Sequence, residues 1–222
     1  MKNFLKVVVL AGVLLCSCSG TPRDDEHDSH GHMRGDTLTH KDSVSHSSSA
    51  HNMPMNMDGM SAQMMKQLED KTGDDFDRMF LPLMTMHHQG AVQMAEEALK
   101  KSHRNDIRRL SQNIISAQKS EMSQMENWFK NWYPNEIFSA NDHGMNSHMM
   151  QMLSGKSAAD FDMEYLRLMI MHHRDGVVMS KPALTKARHP EVKKLAQRII
   201  TDQEREINEM QKMQLEIAST AQ

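Results

Sequence analysis

The sequence predicts an all-α protein, a four-helix bundle made of two duplicated helical hairpins behind a disordered N-terminal tail. Three observations carry that prediction. First, the chain repeats itself. MTMHHQGAVQM, from Met84 to Met94, returns as MIMHHRDGVVM, from Met169 to Met179, at a spacing of 85 residues. Aligned without a gap, Phe76–Trp128 and Phe161–Met213 share 20 identities in 53 positions. Second, apolar residues within each copy step by three and four, which is one face of an α-helix. Third, aromatic residues make up only 5% of the 222 positions, so strand-forming side chains are scarce. A net charge of −3 with no dense basic stretch argues against nucleic acid as a partner. Met 24 and His 14 stand out, because methionine is roughly one residue in nine.

Residues 1–17 read as a lipoprotein signal peptide. Lys2 and Lys6 give a positive start, and Phe4 to Leu15 an apolar run of signal-peptide length. That run is too short for a comfortable membrane span. In Leu15-Cys16-Ser17-Cys18, Ser17 is the small residue wanted before a lipidated cysteine, so Cys18 is the expected lipid-bearing residue. Acylation of Cys18 would leave no pair of thiols for a disulfide or a thiolate metal site. The plainer alternative is an ordinary cleaved signal with two incidental cysteines.

Residues 18–70 read as a disordered tail rich in His and Met, without apolar periodicity. Its end carries His51, Met53, Met55, Met57 and Met60, and Pro54 and Gly59 argue against helix. Methionines in an unfolded tail bury nothing, so core filling does not explain them. They suit metal capture or transfer, or else belong to a biased spacer.

The first hairpin repeat spans residues 71–133. Asp74 or Asp75 caps a helix to about Lys101, with Phe76, Phe80, Leu83, His87, Met94 and Ala98 on one stripe. Pro82 predicts a kink or an irregular first turn. After a break at Ser102–Asn105, a second helix runs from about Asp106 to Asn131, with Ile107, Leu110, Ile114, Gln118, Glu121, Met125 and Trp128 on its stripe. A linker, residues 134–156, holds His143, Met145, His148 and Met149. The second repeat, 157–217, copies the first. Ser157 or Asp160 caps helix three, whose stripe includes Phe161, Tyr165, Leu168, His172 and Met179. Pro190 suits the start of helix four, which carries Val192, Leu195, Ile199, Gln203, Glu206 and Met210. Two hairpins with one apolar face each bury those faces best against each other.

The repeat retains its chemically costly residues. His87 and His172 fall on core stripes, as do Gln118, Glu121, Gln203 and Glu206. Burying such groups without partners costs several kcal/mol, so they must meet each other, water or a metal. A purely structural His–Glu–Gln network is one outcome; a metal oriented by the glutamates is the other. His88 and His173 turn about 100° away from their neighbours and flank the stripe. Met84 and Met169 lie four residues before them, Met86 and Met171 just before the pair, and Met94 and Met179 after it. A methionine at helical spacing is ordinarily core. Duplicated beside His-His, thioether and imidazole together form a donor set for soft copper, Cu(I) before Cu(II) or Ag(I).

The residues F-D-x-x-F/Y-L-x-L-M-x-M-H-H, at Phe76–His88 and Phe161–His173, resemble the DUF305 family. So does the later A-x-x-I-I-x-x-Q-x-x-E at Ala196–Glu206, whose first copy at Ser111–Glu121 has Ser111 in place of the usual Ala. The resemblance covers about Asp74 to Gln214. It implies a ferritin-like bundle and a copper-binding or copper-resistance role in the cell envelope. The copies differ at Gly90, which aligns with Asp175, so the two halves need not be equal.

The expected protein is a copper-binding envelope lipoprotein that buffers, resists or transfers the metal. Its anchor would sit in a membrane, facing the periplasm or outer surface, with a copper exporter or chaperone as partner. No nucleophile with a base and an orienting group is present, so no enzyme is expected. A di-iron oxidase in a ferritin-like bundle would need Glu-x-x-His. Met84, Thr85, Met169 and Ile170 occupy the required positions instead. A metal-free interaction module would explain the bundle but not the His/Met tail and linker.

Overall fold

The computed structural model describes residues 57–140 and 145–220, and among them every regular element is helical. The order is α1 (Met57–Leu68), α2 (Gly73–Lys101), α3 (Asn105–Trp132), α4 (Met145–Leu153), α5 (Ala158–Ser180), α6 (Ala183–Lys186) and α7 (Pro190–Thr220). Helices α2 and α3 form one hairpin and α5 and α7 the other, and the hairpins meet along α2 and α5. The expected four-helix bundle of two duplicated hairpins is the observed architecture. No helix among the described residues is long and apolar enough to cross a membrane.

The apolar stripes become the core. Phe76, Phe80, Ile107, Leu110, Ile114, Phe161, Tyr165, Leu168, Val192, Leu195, Ile199 and Met210 are all buried. Burying one such side chain stabilises the fold by about 1.5–3 kcal/mol, and that gain rather than helix propensity sets the helix faces. Helix α2 runs on through Pro82 as one continuous element. Proline removes one backbone donor, and the flanking contacts of Phe80, Leu81 and Leu83 in the core outweigh that loss.

The caps explain how the hairpins are held in register. Ser157 Oγ accepts the amide of Asp160 and starts α5. Buried Asp77 on α2 accepts the amides of Arg188 (3.1 Å) and His189 (3.0 Å), so one hairpin caps the N-terminus of the other's α7. The His189 ring also meets Asp77 at 2.7 Å and stacks on Trp132 with centroids 3.6 Å apart.

Two expectations need correction. The tail was expected to be irregular to residue 70, with Gly59 against helix, yet α1 begins at Met57. Met64 and Leu68, one turn apart, enter the core and supply the tertiary contact that outweighs a glycine. The His/Met-rich linker, residues 134–156, was given no helix, yet it contains α4. Asn146, Met149 and Leu153 step by three and four and are all buried. Both short helices pack on α2 and α5. Cys18, His51, Met53, Met55 and His143 lie outside the described residues.

Candidate metal centre

The site sits where α2 and α5 cross. His87 and His172 stack there, with ring centroids 3.8 Å apart and planes tilted by 30°. Two glycines make room for this approach. A Cβ at Gly90 would lie 3.1 Å from His172 Nε2, and one at Gly176 would lie 3.0 Å from His87 Cε1. Each hairpin thus offers a notch to the other's imidazole. Burial holds both rings well below the ordinary imidazole range, and the neighbouring histidines push in the same direction. The rings are neutral, and all four of their nitrogens are buried without a hydrogen-bond partner.

The second histidine of each pair turns the other way, into its own hairpin. His88 Nε2 lies 2.8 Å from Glu121 Oε2, and His173 Nε2 lies 2.7 Å from Glu206 Oε2. Both bonds join residues 33 apart, so the duplication reproduces them. Donation from Nε2–H to a carboxylate fixes the tautomer and leaves a lone pair on Nδ1. Nδ1 of His88 and of His173 is buried and unpartnered. Burying an unpartnered polar atom costs about 1–3 kcal/mol. A neutral imidazole carries one proton and one lone pair, so the four rings at this crossing present four lone pairs for ligation.

The sequence reading placed these residues partly wrongly. It set the glutamates on the faces of His87 and His172, with His88 and His173 flanking the stripe. In the structure His88 and His173 are fully buried and take the glutamates, while His87 and His172 take each other. The reason is that α2 and α5 are covered on several sides, by α1 and α4 as well as by their hairpin partners, so the buried face is wider than one stripe. Gln118 and Gln203 are buried near this centre, each with its carbonyl oxygen unpartnered.

Among the predicted thioethers, Met84, Met86, Met94, Met169 and Met179 are buried. Met171 is only half-buried, and its sulfur lies 3.1 Å from Arg167 Nη1. Linker residue Met149 is buried in α4 and His148 is exposed beside it. Met57, Met60 and Met145 lie on helical backbone. Among the described residues no three His, Cys, Asp or Glu side chains converge into a metal-binding group.

Asn146 was missed. It is buried on α4 and fills the Gly90 notch, its Oδ1 2.4 Å from where a Cβ would stand, beside His172 Nε2. No repeat flags it, because the linker occurs once. The roles of Gly90 and Gly176 were equally invisible, since the two glycines are not aligned with each other in the repeat.

Comparison with known proteins bears on the family and the fold. The model of DUF305, a domain of unknown function, matches residues 23–129 and 134–214. Among solved structures, CopM in the Cu(II)-bound form is 32% identical, covers 66% of this chain and 98% of its own, and has a TM-score of 0.57. CopM in the Cu(I)-bound form is 34% identical over 62% of this chain and 94% of its own, with a TM-score of 0.54. Its co-crystallised Ag-bound form is 34% identical over 62% and 93%, with a TM-score of 0.54. A DUF305 fragment from Deinococcus radiodurans is 30% identical over 62% of this chain and 94% of its own, at a TM-score of 0.54. No curated protein matches the chain.

Proposed function

This chain belongs to the DUF305 family, and from that premise we propose that it binds copper in the cell envelope as a carrier, without catalysing a reaction. Cu(I) is the favoured form, and Cu(II) and Ag(I) are accepted less selectively. The single observation that carries the reading is the cluster of buried, unpartnered imidazole nitrogens on the duplicated Met-x-Met-His-His, among buried thioethers. Neutral imidazole and thioether prefer Cu(I) to hard cations. CopM, in its Cu(I)-, Cu(II)- and Ag-bound forms, supports the same cargo.

In this reading His87 and His172 hold the ion, with thioethers drawn from Met84, Met86, Met94, Met169, Met171 and Met179. His88 and His173 either join them through Nδ1 or shape the pocket, oriented by Glu121 and Glu206. Cys18 carries a lipid that fixes the protein to a membrane, facing the periplasm or outer surface. The His/Met-rich tail and linker hand copper to or from an exporter or chaperone.

The test is an anaerobic Cu(I) titration against a competing chelator. It compares the full chain with residues 51–222, a cut that spares α1 and its core residues Met64 and Leu68. Tight binding by both, kept when His51, Met53, Met55, Met57 and Met60 are also replaced, places the site in the bundle. Binding by the full chain alone would transfer the function to the tail and contradict the core site.

A further inference from the structure

We propose that the cleft between α3 and α7 is the port through which the cation reaches the buried histidines; this rests on the copper-binding reading above. The cleft holds about 60 Å³ and is lined by Gln118, Glu121, Asp202, Gln203, Arg205 and Glu206. That is room for a few waters, or for one ion with part of its hydration shell.

Its walls are graded from wet to dry. Asp202 stands at the exposed rim beside Arg205, 2.9 Å away. Glu121 and Glu206 come next, with side chains 15% and 11% exposed, each holding a buried histidine. Gln118 and Gln203 line the throat. Both are 3% exposed, and the carbonyl oxygen of each is buried without a hydrogen-bond partner. Gln203 Oε1 lies 2.3 Å from the Cβ position at Gly176, and His87 Cε1 lies 3.0 Å from the same point. The throat therefore ends against the stacked imidazoles. The other notch, at Gly90, is filled by Asn146 of α4.

The donor chemistry suits passage rather than storage. Carboxylate and carboxamide oxygens hold a soft ion weakly, and thioether and imidazole hold it well. Three carboxylates at a low-dielectric mouth concentrate cations. Arg205, which also lies 4.0 Å from Glu206, opposes entry and sets its rate.

Stopped-flow transfer of Cu(I) from bicinchoninate to the full chain tests this. Ala117 is exposed at the rim. Ala117→Trp is expected to slow loading at least about tenfold, Asp202→Asn to slow it severalfold and Arg205→Gln to speed it severalfold, at unchanged equilibrium affinity; steering of this kind changes rates by about 10–10³. Thermal melts of each variant show that the bundle is intact. Parental loading rates in all three variants, with tight binding retained, would overturn the port and leave the copper reading standing. A parent chain that takes up no Cu(I) would overturn the cargo, and the port with it.

Discussion

The two hairpins are copies in their chemistry and differ in what surrounds it. The His88–Glu121 and His173–Glu206 pairs agree to within 0.1 Å. Around them the halves diverge. Asn146 leans on the second half's His172 through the first half's Gly90, while Gln203 fills the corresponding space at Gly176. Met86 is buried, whereas Met171 is half-exposed against Arg167. In the first half Ser111 accepts from the buried Tyr165 of the second, at 2.9 Å. The aligned residues, Ala196 and Phe80, form the apolar equivalent. This polar exchange has been made as a matched pair, so neither hydroxyl is left unsatisfied. The lesson is that duplication has kept the histidines and glutamates and let their surroundings become unequal.

The largest expected effect breaks the centre in both halves at once. The double variant His87→Leu with His172→Leu is expected to lose more than about a hundredfold of Cu(I) affinity, since even supporting residues of metal sites are worth about 10–100-fold. The metal-free protein should melt no lower, and even higher, because the unpartnered nitrogens are gone. A chelator titration and a melt check both parts.

Acid comes next. His87 and His172 sit well below the ordinary imidazole range because they are buried beside other histidines. Below about pH 6.5 the unfolded chain binds protons at these rings that the folded chain does not. Stability of the metal-free protein is then full above that pH and falls as the pH drops below it. Urea midpoints against pH should show this slope in the parent and a shallower one in the double variant.

The glycines sharpen the comparison between halves. Gly176→Ala drives a Cβ into Gln203, on a long bundle helix, and overpacking of that kind costs about 1–3 kcal/mol. Gly90→Ala drives one into Asn146, on short α4, which has more freedom to retreat. Its net cost is expected near zero after the gain of about 1 kcal/mol in helix propensity. Equal losses in urea denaturation would show that α4 is as firmly seated as α7.

The smallest effect is a pair exchange. Ser111→Ala and Tyr165→Phe are each expected to cost about 1–3 kcal/mol, because each strands a buried hydroxyl or removes its donor. The double variant, which copies Ala196 and Phe80, should recover most of the loss in a double-mutant cycle.

The bundle was legible because its signal is long and repeated: stripes of apolar residues at helical spacing, met twice, admit few other folds. The identity of the central residues was legible for the same reason. What the sequence hid depends on contacts between elements. One stripe per helix puts His87 with Glu121, but α2 is buried on several sides, so His88 could take the glutamate. Helices α1 and α4 were hidden because their few apolar residues become stabilising only against α2 and α5. Asn146 had no second copy to mark it.

The most direct test of the central claim is copper X-ray absorption on the Cu(I)-loaded chain beside the His87→Leu/His172→Leu variant. The expected result is sulfur together with imidazole nitrogen around copper in the parent, with the imidazole signal lost in the variant. A spectrum that is the same in both would contradict the account and place the metal elsewhere in the chain.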